Sequence, residues 1–309
     1  MAKPTARDAF VNNILRGLAI LAVLAIHTLS SIHGDYYPSS GWSWIAVGLD
    51  QLSRFSVPLF VALSGYSFWQ KYQGVPFHFW DFVKRQAGKL LPLYIGASLL
   101  FNLIFFFIPS WKALGDVGPL WLQLVRGSAD YQLYFVPMIF ELYLLFPLVK
   151  KLVEKLPWIS LAVAFVFEWW LYAHATVLGN DQEQYRWFFT WIFYYVLGMH
   201  LPRIHRHLTQ SSATRSSLYI ATAVSFLFVA TGAIQAVGSG VDPIIAMRFT
   251  EIGTLVYAGF AIVALFTLAH CIGEGSFKSW RPLVQLGIWS YPIYLFHTLL
   301  LRLVFRIPW

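Results

Sequence analysis

Charge is scarce in this chain. Asp, Glu, Lys and Arg make up 12% of 309 residues, against about 25% in an average soluble domain. So few charges cannot cover the surface of a water-soluble globule of this size. A soluble enzyme, a disordered chain and a nucleic-acid-binding domain are excluded on that ground. Cysteine is scarcer still: Cys271 stands alone, which excludes a disulfide framework and a thiolate metal cluster. Heptads, low-complexity tracts and repeats of fixed period are also missing, and no loop is long enough for a soluble domain.

Apolar residues fill the gap, with 58% of the chain hydrophobic and 18% aromatic. A hydrocarbon core of about 30 Å needs about 20 apolar residues per helix. Nine stretches qualify: 14–33, 44–69, 90–109, 132–152, 158–178, 185–201, 216–237, 247–270 and 283–303. The expectation is an all-α integral membrane protein, a polytopic helix bundle forming a single transmembrane domain over 1–309. The first stretch does not read as a cleavable signal, because Arg16 and His27 interrupt it and no small-residue cleavage site follows.

Lys and Arg distribution sets the orientation. With the N-terminus inside, fifteen of these residues fall in inner segments and six, Arg302 among them, in outer ones, with Arg54 inside a span. The net charge of +8 is then mainly topology, with some contact to anionic membrane lipids.

Ionisable side chains within spans cost at least about 2.5–3.5 kcal/mol each on insertion scales and are candidates for function. Arg16 and His27 lie eleven residues apart in the first span. On a helix they are separated by only about 20° around the axis and about 16 Å along it. Read blandly, Arg16 snorkels to the headgroups and His27 is a hydrogen-bonded core histidine. Asp50 and Arg54 at i, i+4 read as an ion pair, followed by a Pro58 bend. Glu141 and Glu168 sit near mid-membrane, where a lone carboxyl is protonated or paired. His297 falls at the depth of His27. Lys84, Arg85 and Lys89 form a basic entry to the third span. Together these outline a polar tunnel with an anion-attracting inner mouth and an acid–base outer end. A membrane enzyme with an anionic cytoplasmic co-substrate fits that outline, and so does an exporter or flippase of an anionic glycan.

The order of motifs resembles one family. Arg16 to His27 fits an arginine, ten residues, histidine pattern. VPLFVALSGY (57–66), FVKRQAGKLLPLY (82–94), YYVLGM (194–199) and LGIWSYPIYLFH (286–297) follow in sequence. YFVPMIFELY (134–143) replaces an expected Leu-Trp-Phe stretch, keeping Phe135 but placing Tyr134 where tryptophan is usual. Together they are similar to the acyltransferase-3 family of bacterial membrane O-acyltransferases, in a short form resembling those that modify exopolysaccharide. That family usually has ten spans. Either a tenth helix hides in 110–131 or this chain ends outside, and the charge distribution favours the second.

The resemblance implies an enzyme in the bacterial cytoplasmic (inner) membrane, N-terminus cytoplasmic. It would move an acyl group, most commonly acetyl, from acyl-CoA to a hydroxyl of a carbohydrate acceptor across the membrane, with no metal and no nucleic-acid partner. Arg16, Lys84, Arg85 and Lys89 would hold the acyl-CoA, near the Ser64-Gly65 pair. His27 would be general base or be transiently acylated, with His297 at the same depth a further catalytic candidate and Glu141 or Asp50 orienting the imidazole.

Overall fold

The computed structural model describes residues 5–34, 41–112, 118–174, 184–238, 243–272 and 278–305, and every regular element among them is helical. Helix α1 (Ala6–Gly34) carries both Arg16 and His27 without interruption. Its start is a reciprocal cap. The Asp8 amide donates to Thr5 Oγ1 at 3.1 Å and the Thr5 amide donates to Asp8 Oδ2 at 2.8 Å. Then come α2 (Gly41–Ser53), α3 (Ser56–Tyr72), α4 (Phe79–Phe107), the short α5 (Leu120–Arg126), α6 (Phe135–Lys155) and α7 (Pro157–Ala173). After two 3-10 turns at 184–186 and 188–191, the chain continues through α8 (Ile192–Thr209), α9 (Ser212–Gly238), α10 (Pro243–Cys271), α11 (Arg281–Ile288) and α12 (Ser290–Phe305).

Six helical segments among the described residues are long and apolar enough to cross a membrane: 6–29, 44–72, 79–107, 131–155, 212–234 and 251–271. These match six of the nine expected spans. The other three are irregular. The stretch at 158–178 yields a helix of 17 residues, and 185–201 begins in 3-10 turns before α8. The last, 283–303, is broken at Trp289 between α11 and α12. No tenth spanning helix is seen in the described part of 110–131, because α5 is only 7 residues long and ends at Gly127 with φ +65°. Residues 113–117 and the loop at 175–183, expected to face out, lie outside the described residues. The expected bend near Pro58 falls slightly earlier, at Arg54–Phe55. Pro58 itself sits in the first turn of α3, where its missing N–H costs nothing.

Two seams of small residues hold the bundle. A Cβ on Gly65 would lie 2.2 Å from the Tyr195 carbonyl oxygen, and one on Gly198 would lie 1.9 Å from that of Ala62, so α3 and α8 touch backbone to backbone. Between α1 and α11, Gly17 meets the Leu283 carbonyl and Gly287 that of Asn13 in the same way. In lipid, where apolar side chains gain little by leaving one surface for another, such close approach supplies the packing energy. Gly65 thus has a packing duty in the first seam.

Candidate active site

Two polar clusters sit at the two ends of α1. At the one nearer its N-terminus, Arg16 is half-buried, its Nε is shielded from solvent without a hydrogen-bond partner, and no carboxylate among the described residues pairs with it. Its charge is felt by Tyr143. The Tyr143 hydroxyl donates to Ser64 Oγ at 3.4 Å, and Ser64 donates back to the Phe60 carbonyl at 3.0 Å. The charges of Lys71, Arg85 and Arg16 all act on Lys89. The structure therefore gathers Arg16, Lys89, Arg85 and Ser64 in one region and adds Lys71 and Tyr143. Lys84 is exposed and is not among the charges acting on Lys89.

At the other cluster, His27 Nδ1 lies 3.2 Å from the Tyr131 hydroxyl, and the His297 ring sits 4.9 Å away, centroid to centroid. The charge of Arg54 also acts on His27. Behind these rings is a buried ion pair. Arg302 donates from both terminal nitrogens to Asp130, at 2.7 and 2.8 Å, with both side chains 0% exposed. Such a pair survives in a low-dielectric interior only with good geometry and extra hydrogen bonds. Here Thr298 Oγ1 donates to Asp130 at 3.0 Å, the Tyr131 amide donates to it at 3.0 Å, and Gln132 Nε2 donates to Thr298 at 2.8 Å. The Phe105 ring covers the guanidinium. Asp130 and Arg302 thereby fix the segment carrying Tyr131 against α12, which carries His297.

Arg302 is a correction. Counted from sequence as an outer charge, it is in fact one of the most deeply buried side chains of the chain. Drawing the last span only to 303, with Arg302 at its fringe, hid the arginine among flanking charges. An ionisable residue five positions after His297 on the same apolar helix was the available signal. Asp130 and Tyr131 were missed because they precede a span.

The carboxylates expected to orient His27 have other partners. Asp50, buried, accepts from Arg54 at 2.7 and 2.9 Å, as the spacing predicted. Glu141 accepts from the Phe188 amide at 3.2 Å, and Glu168, 0% exposed, accepts from the Phe193 amide at 2.9 Å. Both glutamates reach across from neighbouring helices to the irregular entry of α8, where backbone N–H groups have no helical acceptor. At membrane depth such groups must be satisfied by protein. The group seen beside His27 Nδ1 is the hydroxyl of Tyr131.

No protein with a curated description matches this chain, and neither does any solved structure. A family model described as an acyltransferase domain matches residues 13–307, beginning just before Arg16 and ending just past Arg302. Matched over nearly all of the given residues, the chain belongs to the acyltransferase-3 family and, with its apolar helices, is a multi-pass membrane acyltransferase.

Proposed function

We propose that this protein is an O-acyltransferase that takes an acyl group, most commonly acetyl, from cytoplasmic acyl-CoA and delivers it to a hydroxyl of an extracytoplasmic envelope glycan or exopolysaccharide. The observation carrying this reading is the guanidinium of Arg16, buried at Nε without a partner, on the same helix as His27. An unpaired cation inside a bundle is costly, and an anionic ligand relieves that cost. A bidentate donor suits a phosphate or a thioester carbonyl. Lys89, Arg85 and Lys71 extend the positive field toward the side from which a nucleotide would enter. The thioester supplies an activated acyl carbon when bound, and the chain does the rest. Arg16 anchors, the basic cluster attracts, and His27 acts at the far end as base or as acyl carrier. Tyr131 stands beside its ring, 3.2 Å from Nδ1. The enzyme sits in the bacterial inner membrane with its N-terminus cytoplasmic, crossing it nine times.

Titrating acetyl-CoA against purified wild type, Arg16→Ala and Arg16→Lys tests the reading. Alanine raises the apparent KM for acetyl-CoA by about tenfold or more, as expected for loss of an uncompensated ionic contact. Lysine recovers part, because charge is kept and the fork is lost. The KM for the glycan moves little. An exporter of the glycan would show no dependence on acetyl-CoA, and a flat response in wild type overturns the proposal.

A further inference from the structure

The outer cluster holds two imidazoles with different surroundings. His297 is 2% exposed, and its Nδ1 lies 2.7 Å from the Tyr294 carbonyl. A carbonyl only accepts, so Nδ1 carries the hydrogen and Nε2 carries the lone pair. That Nε2 is buried and has no hydrogen-bond partner. A buried acceptor left unmade is costly, and a donor hydroxyl arriving beside His27 would remove that cost. Asp130, bonded to Thr298 and Arg302 of the same helix, is a carboxylate whose charge acts on His297, with that of Arg302 opposing it, so a cation formed on that ring has a negative neighbour. A nucleophile works as the neutral ring.

We propose, resting on the acyl-transfer reading above, that the two histidines divide the chemistry: His27 receives the acyl group and Nε2 of His297 takes the proton of the acceptor hydroxyl. In the first half, a neutral ring nitrogen of His27 attacks the acyl carbon. The C–N bond forms, the C–S bond breaks, and the thiolate leaves to be protonated by water. In the second, the hydroxyl oxygen attacks the same carbon of the acyl-imidazolium. The C–O bond forms, the C–N bond breaks to return neutral His27, and the hydroxyl proton moves to His297 Nε2. The doubly protonated His297, near Asp130, then gives that proton to water. His27 suits the first role because it shares a helix face with Arg16, at the end of the path from the basic mouth. Tyr131 and the Asp130–Arg302 pair are positioning residues: they hold the two rings together.

The test uses purified full-length protein with radiolabelled acetyl-CoA as probe and water as the only acceptor. Thiol release and intact-protein mass are followed together. Wild type releases thiol continuously. His297→Ala and the bulkier His297→Gln release about one equivalent per chain and stop, as a burst requires. Both retain an acetyl adduct that disappears when His27→Ala is added. Continuous release at the wild-type rate in both variants overturns the assignment. So does loss of release and adduct in a variant with wild-type Tm, since a merely structural histidine would move both halves together. Absence of thiol release and adduct from wild type sinks the acyl-transfer reading itself. The glutamine variant keeps side-chain volume, so an alanine that fails to fold leaves the outcome readable.

Discussion

Among single residues, the one the fold makes most specific is Tyr131. Its hydroxyl lies 3.2 Å from His27 Nδ1 and its amide donates to Asp130, so the ring meets the imidazole while the backbone is tied to the ion pair behind it. Removing the hydroxyl by Tyr131→Phe leaves the aromatic packing against His27 in place and deletes one hydrogen bond. A net contribution of about 0.5–1.5 kcal/mol corresponds to a loss of about two- to tenfold in kcat for acetyl transfer, with Tm near wild type and KM for acetyl-CoA unchanged. Steady-state kinetics on the purified variant check this. A wild-type kcat would mean that the bond does not orient the imidazole. Arg16 and His27 were legible from sequence because both stand in one uninterrupted apolar helix, where spacing alone fixes their relative angle. Tyr131 was not legible, since its role arises where a non-helical segment meets α12, and no local pattern encodes that meeting.

Elements were legible where apolar length alone defines them. Helices α1, α4, α6, α9 and α10 follow from the hydropathy of their sequences, and so does the Asp50–Arg54 pair from its i, i+4 spacing. The breaks were not. The 3-10 entry to α8 depends on acceptors from other helices, Glu141 on α6 and Glu168 on α7. From sequence these two carboxylates read as candidates for chemistry, whereas their hydrogen bonds serve backbone that lacks a helical acceptor. The glycine seams are a second tertiary device, and glycines in other helices are not equivalent. Gly198→Ala would put a Cβ 1.9 Å from the Ala62 carbonyl oxygen, while a Cβ on Gly96 in α4 meets nothing within 4 Å. Overpacking of this kind costs about 1–3 kcal/mol, and the contact here is with backbone, which yields least. Gly198→Ala should therefore lower Tm in detergent clearly. Gly96→Ala should leave it unchanged or raise it, because alanine favours helix by about 1 kcal/mol. Equal Tm values for the two variants would show that α3 and α8 do not meet at this seam.

On the scale of the whole molecule, the question is which end faces the cytoplasm, because that sets the direction of acyl transfer. The structure gathers one set of helix ends together. Arg7 at the start of α1 donates to the His270 carbonyl at the end of α10. Asp8 accepts from Tyr66 near the end of α3, and Arg203 in α8 lies over Trp69. This end also carries the basic group around Lys89. Removing Arg302 from the outer set, as its burial requires, strengthens the charge asymmetry on which the positive-inside argument rests. Cysteines placed singly at Gln73 and Gln210, both exposed, in a Cys271→Ser background should be protected from a membrane-impermeant thiol reagent in intact cells. Both should react once the membrane is opened. Cysteines at Lys112 and Arg126, exposed at segments assigned outside, should react in intact cells. The internal control is the agreement of the pairs: Gln73 and Gln210 lie on connections that the bundle holds at one end, so they must label alike. Labelling of both from outside would invert the orientation, making the Arg16 mouth extracytoplasmic and removing the cytoplasmic source of acyl-CoA on which the proposed transfer depends.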